Sequence, residues 1–277
     1  MTEPDPGAAH RAHFADNRAN WDDRAALHEA CGYGIAELLA SPEALTADVT
    51  RDLARRAGAR IELVESNVYA ARGAVTGDFD LVYTTLGVLC WLPDVGAWAR
   101  VAASLLRPGG RLVLRDDHPV FMAVGDDVAH GLTLHEPYFQ QPEPMTWEDD
   151  GSYVTVPDGT APIARTRSHQ WNHAVGEILT ALLGAGLVLE EVGETRVSAW
   201  RRWPDLMEPC EGGYRFADPA TREMLPLQLL VAAHRPAAGS SAGDSPSADS
   251  LAGGSTASPS TAGSPSAGSA GRAREVG

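Results

Sequence analysis

The sequence contains no lysine and few cysteines, and each scarcity narrows the class of protein. All 22 basic side chains are therefore arginines, against 37 acidic ones, and the net charge is -15. An acidic surface of this size repels phosphate backbones and anionic lipid heads, so we expect no nucleic-acid or membrane partner. The three cysteines are odd in number and far apart, which argues against a disulfide framework and fits a reducing cytoplasm.

The chain also lacks an apolar run long enough to span a bilayer. Its N-terminus carries acidic residues where a signal peptide needs positive charge, so a cytoplasmic location is expected. Hydrophobic residues nevertheless make up 44% of the sequence, which is enough for an ordinary globular core.

Composition divides the chain into three predicted parts. Residues 237–277 are almost entirely Ser, Ala, Gly, Pro and Thr, and such a segment buries too little apolar surface to offset the entropy of ordering. We therefore predict an N-terminal arm (1–16), one functional domain (17–236) and a disordered tail (237–277).

Within the domain, segments of helical and strand-like periodicity alternate. Helices are predicted at residues 42–57, 94–106 and 175–183, and strands at 60–65, 80–84, 111–115, 187–192 and 225–234. This alternation predicts an α/β fold with a doubly wound, mainly parallel sheet.

Two segments carry a family resemblance. Residues 77–94 read GDFDLVYTTLGVLCWLPD, and residues 104–115 read SLLRPGGRLVLR. In the second, Pro108 ends a helix, and the two glycines after it turn the chain into a buried strand. Together they resemble strands four and five of class I S-adenosylmethionine-dependent methyltransferases. Two further segments, NRANWDDR at 17–24 and SHQWNH at 168–173, are similar to one bacterial subgroup of this family. The resemblance therefore covers residues 17–235.

The resemblance implies a cofactor, S-adenosylmethionine, and a small-molecule acceptor. His118 and His173 are the implied catalytic bases or orienting groups. The cofactor-binding residues that it implies are Asn67, Val68, Thr85, Leu86 and Gly87. The substrate-binding residues that it implies are Tyr138, Trp147, His169 and Trp171. Asn67 stands where the family usually has an aspartate near the adenine, and its side-chain oxygen can still accept a bond from the adenine amine.

One expected part of that family is missing from the sequence. Such enzymes open with a strand ending in a Gly-x-Gly loop, followed by a helix and a second strand ending in an acid. Residues 31–59 are too few to hold this unit, so we place a deletion around residues 38–50. The alternative loop, Cys31-Gly32-Tyr33-Gly34, follows a segment of helical composition. We therefore predict a sheet truncated to about five strands, with 60–65 beside 80–84.

Several alternatives stay open at this point. Three roles stay open for His169 and His173. Their spacing resembles that of metal ligands, they could line a substrate pocket, or they could be structural histidines. An aromatic-rich insertion covers a substrate or forms a satellite cluster; its members are Tyr138, Phe139, Met145, Trp147 and Tyr153. Cys90 has no base near it in sequence, which argues against a catalytic thiolate.

The function itself has rivals. The first is a non-catalytic relative that keeps a binding pocket without the cofactor. The second is a nicotinamide-dependent dehydrogenase, which shares the doubly wound pattern but needs the same missing glycine loop, and the LLRPGGRLVL segment points away from it.

Overall fold

The computed structural model describes residues 9–31, 62, 64–149 and 163–237. All of them belong to one compact unit, Met1–Ala238, while a second unit comprises Gly239–Gly277. Three predicted features therefore lie outside the described residues: the helix at 42–57, the glycines of the alternative loop, and the tail beyond residue 237.

The described chain forms six α-helices and eight strands. The helices are α1 (Arg11–Cys31), α2 (Ala71–Ala74), α3 (Val95–Leu105), α4 (Pro119–Ala123), α5 (Val175–Gly184) and α6 (Pro219–Arg222). The strands are β1 (Phe79–Thr84), β2 (Leu106–Asp117), β3 (Met145–Glu148), β4 (Arg167–Gln170), β5 (Val188–Thr195), β6 (Met207–Cys210), β7 (Gly213–Phe216) and β8 (Gln228–His234). Short 3-10 turns occupy Val68–Ala70 and Leu89–Trp91.

The main sheet has four described strands in the order β1-β2-β8-β5. Strands β1 and β2 are parallel and are joined through α3, whereas β8 runs antiparallel to both of its neighbours. Two hairpin-like pairs, β3-β4 and β6-β7, stand apart from this sheet. The predicted α/β class with a truncated sheet is confirmed, and β8 makes the sheet mixed.

The two motif segments fold as one strand-helix-strand unit. Asp94 caps α3 by accepting a hydrogen bond from the backbone N–H of Ala97 at 2.8 Å. Helix α3 ends at Leu105, and β2 begins at once, five residues earlier than the predicted start at residue 111. Gly110 permits this early pairing, because a Cβ there would lie 2.8 Å from the backbone oxygen of Phe79.

Two hydrophobic clusters form the core. The larger one packs α3 and α5 against the sheet, and at its centre Trp98, Leu114 and Leu182 are at most 2% exposed. The smaller one lies around α4 and the β6-β7 pair, and it contains Phe121, Trp203, Met207 and Phe216. The site described below lies between α4 and α5, at the ends of the strands that these clusters hold.

The outer face of β1 is exposed. Phe79, Leu81 and Tyr83 share one face of the strand and are 40%, 55% and 52% exposed. Among the described residues only β2 pairs with β1. The fifth strand predicted at 60–65 falls mostly outside the described residues, and its described members, at positions 62, 64 and 65, are not in a strand.

Helix α1 joins the domain through buried polar side chains. The carboxamide of Asn17 donates to the backbone oxygen of His169 at 2.8 Å and accepts from its N–H at 2.6 Å, as a neighbouring strand would. Asn20 and Arg24 donate to the backbone oxygen of Arg165. Because α1 begins at Arg11, the predicted boundary between arm and domain at residues 16 and 17 falls inside a continuous helix.

Candidate active site

A cleft opens at the carboxyl ends of β1 and β2, where open α/β sheets bind their ligands. Its free volume is about 30 Å³, room for a water molecule or two. Its walls come from the turn after β1, the end of β2, α4, the segment after β4 and α5. The lining residues are Gly87, Leu89, Cys90, Asp116, Asp117, Pro119, Met122, Trp171, Asn172, His173 and Ile178.

Asp116 organises the turn that forms one wall. Its Oδ1 accepts the N–H of Gly87 at 2.6 Å and that of Asp117 at 2.9 Å, and its Oδ2 accepts the N–H of Leu89 at 2.9 Å. Burial raises the pKa of this carboxyl, and the backbone donors act against that rise. Since both oxygens are engaged within the fold, Asp116 has a positioning role.

Asp117 differs from Asp116, although it is the next residue. Its Oδ2 accepts a hydrogen bond from the indole N–H of Trp200 at 3.0 Å. Its Oδ1 is buried and meets no hydrogen-bond partner among the described residues. Burial, followed by the charge of Asp116, raises the pKa of Asp117 to about 7. The cleft therefore holds a carboxyl group that takes up or releases a proton near neutral pH.

Trp171 provides the second unpaired polar atom in the cleft. The residue is 1% exposed, and its indole Nε1 is buried without a hydrogen-bond partner among the described residues. The backbone N–H of Trp171 donates to the backbone oxygen of Cys90 at 2.8 Å, which fixes it beside the turn after β1. The ring of His10, in the turn before α1, packs edge-on against the indole, and the two ring centroids are 5.1 Å apart. A buried indole N–H usually finds a partner, so this unpaired group is a departure from the common pattern.

His173 lines the cleft, and one of its ring nitrogens is engaged within the fold. Nε2 lies 2.7 Å from the backbone oxygen of Leu92 and therefore donates to it, so in the neutral ring Nδ1 is an acceptor and faces another acceptor, Oε1 of Gln140, at 3.1 Å. Burial lowers the pKa of His173. The adjacent Asn172 donates to the backbone oxygens of Pro119 and Pro137 and so fixes the α4 wall. These contacts give His173 a structural role.

His118 and His169 lie outside the cleft lining. Nδ1 of His118 accepts the N–H of Val120 at the start of α4, and Nε2 pairs with Glu194 at 2.8 Å. Burial, only partly offset by Glu194, lowers the pKa of His118. Nδ1 of His169 lies 2.9 Å from the hydroxyl of Thr146, and Nε2 lies 3.0 Å from Asp16. Both rings are therefore held by the fold rather than aimed at a ligand.

The two aromatic residues proposed to bind substrate also lie outside the cleft lining. The hydroxyl of Tyr138 accepts the N–H of Val175 at the start of α5, 3.2 Å away. Trp147 lies on β3 and is half-buried. Tyr153, from the same aromatic insertion, is outside the described residues.

Of the residues proposed to bind the cofactor, Gly87 lines the cleft and the others surround the same sheet edge. Asn67 is exposed, and its Oδ1 accepts the N–H of Tyr69 at 2.9 Å to cap a 3-10 turn. Thr85 is exposed, and Val68 and Leu86 are half-buried. The N–H of Gly87 is already taken by Asp116.

The described residues do not fit S-adenosylmethionine as a whole. The amide of Asn67 suits an adenine ring, but among the described residues no Gly-x-Gly turn follows a strand to receive the methionine end. The residues before Cys31 form helix α1, whereas a cofactor loop at residues 31–34 would need a strand there. No catalytic step through the cofactor follows from this donor set.

The sequence interpretation missed the two aspartates. They follow a buried strand, RLVLRDD, and polar residues at the carboxyl end of a parallel strand are a known signal of a site. Cys90 also lines the cleft, and burial raises the pKa of its thiol, which disfavours a thiolate. Among the described residues, no group of three or more His, Cys, Asp and Glu side chains could hold a metal ion. No helix in the described ranges is long and apolar enough to cross a membrane.

No protein-family model and no curated protein matches the chain. Among solved structures, it is similar to an S-adenosylmethionine-dependent methyltransferase from Mesorhizobium loti (23% identity, TM-score 0.31, covering 57% of this chain and 62% of that one). A second, from Clostridium acetobutylicum, has 11% identity and a TM-score of 0.42 and covers 69% and 73%. The glycopeptide N-methyltransferase MtfA, complexed with S-adenosylmethionine, has 15% identity and a TM-score of 0.38 and covers 69% and 70%.

The chain spans about three fifths of the length of the Mesorhizobium protein, since the match covers 62% of that chain. The TM-scores of all three structures lie below 0.5. The functional proposal therefore depends on the chain's own motifs and on the geometry of its cleft.

Proposed function

We propose that this chain is a cytoplasmic small-molecule methyltransferase by descent, with S-adenosylmethionine as the methyl donor and the cleft as the acceptor site. Two features support the family. The segments 77–94 and 104–115 fold as the parallel strand-helix-strand unit that the resemblance implies. The cleft then lies at the carboxyl ends of those two strands, where ligands of such sheets bind.

The observation that carries the proposal is the pair of buried, unpaired polar atoms in this cleft. Oδ1 of Asp117 and Nε1 of Trp171 meet no partner among the described residues, and both residues line the same space. Leaving a buried polar atom unpaired costs about 1–3 kcal/mol, so folded proteins keep few of them. Such atoms also occur elsewhere in the described residues, at Trp147 and Trp203 among others, so it is the position of this pair at the carboxyl ends of β1 and β2 that supports a site.

In this proposal Asp117 replaces His118 and His173 as the group that handles the proton. Nε2 of each imidazole is engaged, by Glu194 or by Leu92, and burial lowers the pKa of both rings, whereas Asp117 has an oxygen without a partner among the described residues and a pKa of about 7. Asp116 holds the turn at Gly87 in place. The chain's own residues thus bind and orient an acceptor and move one proton at Asp117 Oδ1.

A second candidate function is a non-catalytic binding protein that keeps the cleft and has lost the cofactor. The described residues favour it, because among them no Gly-x-Gly turn follows a strand to receive the methionine end of S-adenosylmethionine. The cleft itself is common to both candidates, so only cofactor binding separates them.

Calorimetric titration with S-adenosylmethionine and with S-adenosylhomocysteine tests the proposal. The methyltransferase predicts saturable binding, weakened in the Asn67→Leu variant and unchanged in the matched Ser66→Ala variant beside it. Transfer of a radioactive methyl group to an added acceptor would complete the case. No binding by the wild-type chain, with its fold intact by circular dichroism, would favour the non-catalytic protein.

A further inference from the structure

Helix α1 and the turn before it present one row of side chains to the domain. The row consists of residues at positions i, i+3, i+4 and i+7, which share one face of a helix: His10, His13, Phe14 and Asn17. The first three have ring centroids 5.1, 6.0 and 6.5 Å from that of Trp171. The start of α1 therefore packs against the indole of Trp171, which is 1% exposed.

Three imidazole rings meet at this contact. Nδ1 of His10 lies 3.3 Å from Nδ1 of His13, and the centroids of these rings are 5.5 Å apart. The ring of His13 also packs against that of His169 on β4, with the two centroids 4.4 Å apart. This histidine cluster, His10, His13 and His169, joins the start of α1 to the domain.

The contact between His10 and His13 limits the number of protons that the cluster can hold. A hydrogen bond between two ring nitrogens needs a proton on one nitrogen and a lone pair on the other. When both rings are charged, both Nδ1 atoms carry a proton, so the bond is lost and two like charges lie side by side. The close approach of the rings is therefore compatible with at most one charged ring of the two.

His13 lies among groups that act on its protonation in both directions. Burial lowers the pKa of His13, and the neighbouring His169 on β4 and His10 lower it further. The carboxylates of Asp16 on α1 and of Glu143, from the segment before β3, act in the opposite direction and offset only part of this. Asp16 is also engaged elsewhere, because its Oδ2 lies 3.0 Å from Nε2 of His169. A proton on His13 is thus accommodated better when the start of α1 leaves the domain.

We propose that residues 10–14 form an acid-released strap, which protonation of His13 detaches from β4 and from Trp171. Asn17 marks the inner end of the strap. Its carboxamide exchanges two hydrogen bonds with the backbone of His169, and neither of them titrates. This inference goes beyond the proposed function and depends neither on the cofactor nor on a ligand in the cleft.

The direction of the effect follows from the two states of the strap. Released His13 has the ordinary pKa of 6.5, and the pKa of attached His13 is lower. The attached state is therefore fully stable above about pH 6.5 and loses stability as pH falls from there through the lower value. Burial also lowers the pKa of His118 and His173, so that acid weakens the whole domain as well. Release of the strap must therefore be measured against the domain core.

Amide hydrogen exchange of the full-length chain, followed residue by residue by NMR, separates the two effects. The N–H groups of residues 14–18 donate to the carbonyls of residues 10–14, as Phe14 does to His10 at 3.0 Å, so they lose protection when the strap detaches. Amides of α5 report on the core. Between about pH 7.5 and pH 5.5, we expect protection corrected for intrinsic exchange to fall at residues 14–18 by about fivefold or more relative to α5. An equal change in both regions would overturn the proposal.

Variants assign the effect to His13. His13→Gln removes the titrating ring, so the loss of protection at residues 14–18 relative to α5 should disappear. His10→Gln removes the contact between ring nitrogens and should reduce the loss without abolishing it, since His169 still faces His13. His130→Gln is the matched control and should behave like wild type, because His130 is exposed in the segment between α4 and β3. Wild-type pH dependence in His13→Gln would contradict the proposal.

A direct titration covers the case in which His13→Gln loosens the strap at every pH. The C2 proton resonance of His13, followed by NMR in the wild-type chain, should report a pKa below the ordinary value of 6.5. A pKa at or above 6.5 would overturn the proposal whatever the variants show, because the attached strap would then accept the proton at least as readily as the released one.

Discussion

Strands β1 and β2 lie side by side, yet β2 is among the best buried parts of the chain and β1 among the most exposed. Leu112 and Leu114 of β2 have no exposed surface, whereas Leu81 and Tyr83 of β1 are 55% and 52% exposed. Strand β2 has a partner on each side, but among the described residues β1 has one partner only. The comparison shows that the two motifs form a paired unit, while no described strand pairs with the other side of β1.

The largest expected effect contrasts one leucine from each strand. Leu114→Ala removes a fully buried side chain from the main cluster and should lower the free energy of unfolding by about 2–5 kcal/mol. The matched Leu81→Ala variant should change it by less than about 0.5 kcal/mol, because Leu81 is mostly exposed. Urea denaturation measures both. Equal losses would mean that β1 is covered in solution, and the contrast would fail.

The seam between the two strands gives a second, smaller effect. At Gly110 a Cβ would meet the backbone oxygens of Phe79 and Arg107 at 2.8 and 2.9 Å, and backbone yields less readily than a side chain. Gly110→Ala should therefore destabilise the chain by about 1–3 kcal/mol. Gly73→Ala in α2 is the control, since nothing lies within 4 Å of its Cβ position. If Gly110→Ala left the free energy of unfolding unchanged, β1 would be shown to shift freely against β2. That result is expected only if β1 is a weakly held edge strand.

A third prediction concerns how stability depends on pH through Asp117, at the carboxyl end of β2. The pKa of Asp117, raised to about 7 by burial and by Asp116, lies above its unfolded value of 3.8. The stability from the protonated side chain is then full below about pH 4 and lost as pH rises through about 7. Asp117→Asn should therefore gain stability relative to wild type between those pH values, as urea midpoints would show. Comparison with the variant cancels the opposite effect of His118 and His173, whose pKa values burial lowers.

Asp23 on α1 is a control, because its pKa is shifted in the direction opposite to that of Asp117. Hydrogen bonds from the backbone N–H groups of Arg165 and Ala164 lower its pKa. Its stabilising contribution is therefore present above the unfolded value and lost as pH falls through the folded one. Asp23→Asn should lose stability relative to wild type at neutral pH and recover at low pH. If both variants changed in the same direction with pH, local burial would not be the cause at Asp117.

The smallest effect on stability is expected at the exposed face of β1. Leu81→Lys should leave the urea midpoint within about 0.5 kcal/mol of wild type, because the side chain already faces solvent. It should, however, raise the concentration at which light scattering detects association, since a charge blunts an apolar edge strand. A large loss of stability would instead indicate that Leu81 packs against another part of the chain.

Local sequence signals predicted several elements of the main sheet and its helices, but not the β3-β4 and β6-β7 pairs. The strands at 80–84 and 187–192 and the helices at 94–106 and 175–183 correspond closely to β1, β5, α3 and α5. Periodicity and caps such as Asp94 act within one or two turns, so they are readable from neighbouring residues. The early start of β2 was not readable, because it depends on the close approach of Gly110 to Phe79.

The sequence by itself determined the α/β class, the two motif segments and the acidic charge, because these follow from composition, period and turn chemistry. Only the tertiary structure decided which polar groups are free. His118 and His173 look reactive in sequence, but Glu194 and Leu92, 76 and 81 residues away in the chain, engage their ring nitrogens. Asp117 looks like the twin of Asp116, but Trp200, 83 residues on, pairs with one oxygen and leaves the other unpaired in a cleft. Hydrogen-bond satisfaction of a buried atom depends on partners that folding brings from far along the chain, and so it is decided in three dimensions.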